Sequence, residues 1–217
     1  MTMMLAVILM LAILTFSVFF VTKLFHRDLD SHSSREDTIS ETISSEVEIQ
    51  IRYLTPNPYS RSKTELKKIN GVVIHYTANP GTTAENNRNY FEGLAETKKT
   101  SVSSHFIIGL EGEIVQCIPL TEIAYASNER NSDTIAIECC HPDETGQFNE
   151  ETYKSLVSLT ASLCLEYDLS KEDIIRHYDI TEKPCPLYFV EHEDEWITFK
   201  EEVMEEVKQL KSKADKK

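Results

Sequence analysis

Three kinds of side chain that rarely share a packed core meet in one stretch, Arg176-His177-Tyr178-Asp179-Ile180-Thr181-Glu182-Lys183-Pro184-Cys185-Pro186. His177 offers an imidazole nitrogen and Cys185 a thiolate sulfur, the donor types zinc prefers, and Lys183 adds a nearby positive charge. Pro184 and Pro186 stiffen the backbone on either side of the sulfur. Two donors do not hold a catalytic ion, so a third must come from elsewhere in the chain. His75 is the best candidate, because it ends the β-branched run Val72-Val73-Ile74 and a rigid strand end can present a side chain into a cleft. A lone histidine so placed is more often a hydrogen-bonded core residue, and only the downstream pair turns the reading toward a ligand. Glu138 is the other residue that asks for a reason. It sits among apolar neighbours in Thr134-Ile135-Ala136-Ile137-Glu138-Cys139-Cys140, where a carboxylate is either exposed at a sheet edge or faces the same cleft as His75.

These groups need elements to carry them. Val72–Tyr76 and Thr134–Cys140 read as buried strands, and Ser103–Gly109 with Glu113–Ile118, joined through Glu111-Gly112, reads as a hairpin. Thr83 is placed to cap a helix running to about Glu96. Asn149 is placed to cap a longer one, with Tyr153, Leu156, Val157, Thr160, Leu163, Cys164 and Tyr167 along one stripe. Ser170 to Asp173 resembles a capping box for a short helix that delivers the chain to His177. Trp196, Phe199, Val203, Val207 and Leu210 space a last amphipathic helix.

Length and composition bound the rest. A chain of 217 residues, 41% hydrophobic and 27% charged, has room for one ordinary domain with appendages. A formal charge of −14 argues against nucleic-acid partners and against anionic lipid heads. Five cysteines with no CxxC pair do not make a disulfide framework, and Cys117, Cys139, Cys140 and Cys164 read as buried thiols. Residues 3–22 form an almost unbroken apolar run, long enough to cross a bilayer as a helix. A cleaved signal peptide is the alternative, weakened by the absence of Lys or Arg before the run. The expected organisation is a membrane helix at 1–25, an acidic Ser/Thr-rich linker at 26–48, a folded domain at 49–210 and a lysine-rich tail at 211–217. Lys23 and Arg27 follow the run, and by the positive-inside rule they would put the domain in the cytoplasm.

Four segments, Val72-Val73-Ile74-His75-Tyr76-Thr77, Ser103 through Gly109, Thr134 through Glu138, and Arg176-His177 through Cys185-Pro186, occur in an order that resembles the type 2 N-acetylmuramoyl-L-alanine amidases. That family shares its fold with a phage lysozyme and with the peptidoglycan recognition proteins, and the resemblance spans Ile49 to Leu210. It implies an α/β fold with a central mixed β-sheet flanked by helices. It implies Zn2+ held by His75, His177 and Cys185, with a fourth position for water. It implies Glu138 as base, Lys183 as stabiliser of the oxyanion, and Tyr76 and His105 as substrate contacts. The tyrosine that precedes the His-Phe strand in the phage branch is Ser104 here, which shifts the proton-transfer role to Glu138. The implied substrate is peptidoglycan or a muropeptide, cut between N-acetylmuramic acid and L-alanine, by a domain tethered to the cell membrane and facing outward; the resemblance implies no protein partner. A non-cutting wall-fragment receptor and an intracellular recycling amidase are the alternatives, and a structural zinc site would need a fourth ligand, for which His105 is the residue to check.

Overall fold

Short β-branched runs build one six-stranded sheet in the computed structural model, which describes residues 48–214. The strands are β1 (Ile49–Ile51), β2 (Val72–Tyr76), β3 (Phe106–Ile108), β4 (Ile114–Gln116), β5 (Ile135–Cys139) and β6 (Ile174–Arg176). Their order is β1-β4-β3-β5-β2-β6, and only the β3–β4 hairpin is antiparallel. The expected mixed sheet is therefore present. The expected membrane helix, and the linker up to residue 47, lie outside the described residues. Among the described residues no helix is long and apolar enough to cross a membrane.

The helices are α1 (Ala84–Thr97), α2 (Glu150–Tyr167), α3 (Tyr178–Thr181), α4 (Leu187–Glu191) and α5 (Glu193–Ala214). Thr83 caps α1 by accepting the Asn86 N–H, and the Asn86 side chain returns the bond to the cap backbone. Asn149 caps α2 through the Thr152 N–H at 2.9 Å. Ser170 and Asp173 form a capping box, but around a 3-10 turn, Lys171–Asp173, that leads straight into β6.

Because side chains alternate along a strand, the sheet separates two apolar layers. Val72, Ile74, Ile135, Ile137, Phe106 and Ile108 point to the face covered by α2 and α5. There Phe189, Trp196 and Phe199 stack with ring centroids 5.3 to 5.4 Å apart. Ile107 and Val115 point the other way and pack with Ala84 and Phe91 of α1 and with Leu54.

Three departures from the sequence reading have simple causes. β1 is an edge strand of three residues with Gln50 at its centre, too short and too polar to show a period. The buried surface of α2 is broader than one stripe and takes in Thr152, Leu159 and Ala161, since the helix is wedged between the sheet and α5. α5 continues to Ala214 rather than giving way to a tail at 211, because no helix breaker intervenes and Lys211 and Lys213 suit its carboxyl end. Phe199 is fully buried at the centre of the aromatic cluster. Phe199→Ala is expected to lower unfolding stability by about 3–5 kcal/mol, read as a shift of the urea midpoint at unchanged m.

Candidate metal centre

The parallel pairing of β2 with β5 sets His75 directly opposite Glu138. Both therefore leave the sheet on the face away from α2 and α5, near the carboxyl ends of the parallel strands, where open α/β sheets bind ligands. β5 lies between β3 and β2, so Glu138 is on an inner strand and not at a sheet edge.

His177 arrives beside them because the pairing continues past β6, its N–H donating to the Ile74 carbonyl at 3.3 Å. The preceding Arg176 is buried and locked by Asp179, by Glu193 and by the Phe189 carbonyl. The chain then makes the single turn α3, leaves it at Glu182 with φ +61°, and returns so that the Tyr178 N–H donates to the Cys185 carbonyl at 2.9 Å. That closed loop brings the sulfur back to the imidazole.

One donor atom from each of His75, His177 and Cys185 lies within 4.8 Å of the others, and among the described residues this is the group of metal-binding type. The two rings are 4.7 Å apart, and Cys185 Sγ is 3.8 Å from His75 Nδ1. His177 Nε2–H donates to Asn128 Oδ1 at 3.0 Å, while His177 Nδ1 is buried with no hydrogen-bond partner. A buried nitrogen without a partner is costly, and beside a second imidazole and a thiol it is a ligand position. Burial, and then the neighbouring His177 and Lys183, hold the His75 imidazole well below its usual pKa. Burial and then Lys183 lower that of His177. Both rings are neutral and carry a lone pair to offer. Burial, and then Glu138, push the Cys185 thiol up to about 12, so a bound cation is what would displace its proton. Two nitrogens and one sulfur, with no fourth donor grouped with them among the described residues, fit a zinc-type ion at an open site.

The triad lines a cavity of about 460 Å³. Tyr76, Glu138, Lys183, Tyr125, Asn128 and Asn131 line it as well. Glu138 Oε2 is enclosed and unpartnered, and burial raises its carboxyl to about 8 against the opposing pull of Lys183. The Tyr76 ring is backed by His141 at 5.1 Å and by Gly146, whose φ of +71° disfavours a side chain and where a Cβ would meet the ring at a tight 3.3 Å.

Six of the seven residues singled out from the sequence thus meet at one cavity. The seventh, His105, must be corrected from its expected place as a substrate contact. It is buried between strands, where Nδ1 accepts the Ala136 N–H at 3.0 Å and Nε2–H donates to the Glu122 carbonyl at 2.9 Å. With both nitrogens engaged it supplies neither a substrate contact nor a fourth metal ligand. The Ser104 hydroxyl is buried too, 2.8 Å from the carbonyls of Phe106 and Ala136. Cys117, Cys139, Cys140 and Cys164 are free buried thiols, as expected. Missed from the sequence were Ser127, Asn128 and Asn131. Their only signal was a polar cluster between strand-like runs, which reads as a turn and nothing more.

Residues 65–187 match the family model described as N-acetylmuramoyl-L-alanine amidase (Amidase_2). Among curated proteins, N-acetylmuramoyl-L-alanine amidase CwlL of Bacillus licheniformis is 33% identical over 171 residues, covering 72% of this chain and 47% of that protein. N-acetylmuramoyl-L-alanine amidase BlyA of Bacillus subtilis (strain 168) is 31% identical over 172 residues, covering 70% and 45%. The chain spans about half the length of the curated relatives it matches. Among solved structures, the catalytic domain of XlyA superposes with a TM-score of 0.61 at 23% identity, covering 72% of this chain and 99% of that one. PlyL superposes with a TM-score of 0.59 at 24% identity, covering 72% and 97%. At those identities the likeness is one of fold.

The structural role of His105 has a pH signature. Burial pushes its imidazole from 6.5 down to about 4. As pH falls through that window the unfolded chain takes up a proton that the folded form refuses, so stability drops and then levels off below it. His105→Asn keeps an acceptor and cannot titrate. Urea titrations of the metal-free protein should show the variant losing about 3 kcal/mol less than the unmodified chain between those limits.

Proposed function

The chain belongs to the N-acetylmuramoyl-L-alanine amidase family, and on that premise we propose that it is a zinc-dependent hydrolase of the amide joining N-acetylmuramic acid to L-alanine in peptidoglycan. The observation that carries the reading is the convergence of His75, His177 and Cys185 on one point beside Glu138 and Lys183. These three side chains would hold the ion. When bound there, zinc supplies Lewis acidity, polarising the scissile carbonyl and making water a better nucleophile near neutral pH.

The protein's own groups do the rest. Glu138, one strand over from His75, accepts a proton from the attacking water and returns it to the departing L-alanine nitrogen. Burial raises its pKa in the metal-free protein, and beside a bound cation that value would fall toward the range in which a carboxylate both accepts a proton and hands it on. The Lys183 ammonium lines the same cavity and opposes the negative charge that develops on the carbonyl oxygen. Tyr76, braced from behind by His141 and Gly146, offers a fixed wall against which the lactyl or alanyl end of the substrate rests. The apolar run at residues 3–22 supports tethering of the domain to the membrane, and it is the wall substrate, against the charge rule at Lys23 and Arg27, that calls for the outer side.

Incubation of the full chain with purified cell walls is expected to release new amino termini, and a chelator should abolish the release until zinc is restored. Failure to release them with zinc supplied overturns the assignment. Glu138→Gln should lower kcat by about 10²–10⁴ while binding as much zinc as the unmodified protein. Protease accessibility of the domain in intact spheroplasts checks the outward orientation.

A further inference from the structure

Both imidazoles of the triad are engaged on their far side by a single turn. His75 Nε2 is 3.2 Å from Ser127 Oγ, and His177 Nε2–H donates to Asn128 Oδ1 at 3.0 Å. The two contacts come from consecutive residues, although His75 is on β2 and His177 lies just past β6, about a hundred positions later. An amide oxygen only accepts, so Asn128 requires the proton of His177 to be on Nε2 and leaves the Nδ1 lone pair bare. The ring nitrogen that is left unpartnered is that Nδ1.

The turn is built to hold this position. Asn128 lies at φ +53°, a left-handed conformation that Asn tolerates better than most residues. Asn131 Oδ1 accepts the N–H groups of Ala126 and Ser127, at 3.0 and 2.6 Å, which pins the backbone just before the two contacts. Downstream, the Thr134 hydroxyl donates to the Arg130 carbonyl at 2.6 Å and Arg130 pairs with Asp133 at 2.8 Å. These bonds tie the turn to the start of β5. Ser127 is fully buried, so its contact with His75 is shielded from competing water.

We propose that Ser127 and Asn128 are positioning residues: one rigid turn takes up the Nε2 atoms of His75 and His177 and so presets both rings, Nδ1 inward, for the cation. The inference rests on the metal role proposed above for the two histidines. Fixing tautomer and ring direction before the ion arrives removes an ordering cost from binding, and loss of such a partner typically weakens metal affinity about 10–100-fold.

The full chain, stripped of metal, provides the test with two readouts. Long-range proton–nitrogen NMR reports which nitrogen of His177 carries the proton, and competition with a chromophoric chelator gives the zinc Kd. Asn128→Gly removes the acceptor while suiting the positive φ; Asn128→Asp keeps an acceptor oxygen. The unmodified chain should show the Nε2–H tautomer. Asn128→Gly should show a mixture and bind zinc about 10–100-fold more weakly, and Asn128→Asp should stay within a few-fold of the unmodified protein. Ser127→Ala should weaken zinc binding without changing the His177 tautomer. The proposal fails if Asn128→Gly and Ser127→Ala both bind zinc as tightly as the unmodified chain. It fails too if Asn128→Asp falls as far as Asn128→Gly, or if the native His177 proton sits on Nδ1. Should the unmodified chain bind no zinc, the amidase reading falls, and the tautomer alone then decides whether the turn orients the ring.

Discussion

Everything at the cavity depends on the register between β2 and β5. A slip of one residue would send either His75 or Glu138, depending on which strand moved, to the opposite face, into the apolar layer beneath α2 and α5, and bring an isoleucine to the cavity. The register is protected by that penalty. Val72, Ile74, Ile135 and Ile137 are fully buried on the helical side, so a one-residue slip must bury an imidazole or a carboxyl where aliphatic groups now pack. The hydrophobic alternation of two five-residue strands therefore specifies the chemistry as firmly as it specifies the sheet.

The second requirement is that neutral donors stay neutral. Desolvation leads the causes at His75, His177 and Cys185, holding the imidazoles unprotonated and the thiol protonated. Lys183 reinforces the first effect and opposes the second. Arg176 carries a charge next to this pocket without entering it. Asp179, Glu193 and the Trp196 ring enclose its guanidinium, so a buried cation serves the loop as an anchor and its field is largely spent on its own partners.

Much of this was legible in the residues because the relevant signals are local. A thiol between two prolines, a histidine at the end of a β-branched run and a carboxylate among isoleucines each break a pattern, and a break in pattern is what a sequence displays. The caps at Thr83 and Asn149 and the aromatic spacing of α5 were legible for the same reason. His105 was misread because a histidine that satisfies two backbone groups across strands has no signature apart from its neighbours in space. Ser127 and Asn128 were missed because their meaning lies wholly in which rings they touch. β1 went unseen because three residues at a sheet edge are fixed by a partner strand more than by their own composition.

The sheet also works as a partition between two kinds of matter. One side is a dry aromatic and aliphatic slab formed with α2, α4 and α5, the larger of the two apolar layers. The other side adds a smaller apolar layer under α1 and, only at its strand-end rim, keeps a carboxyl oxygen and a ring nitrogen without protein partners. Substitutions should consequently sort by place: those in either apolar layer lower the melting temperature, and those at the strand-end cavity alter turnover more than cohesion.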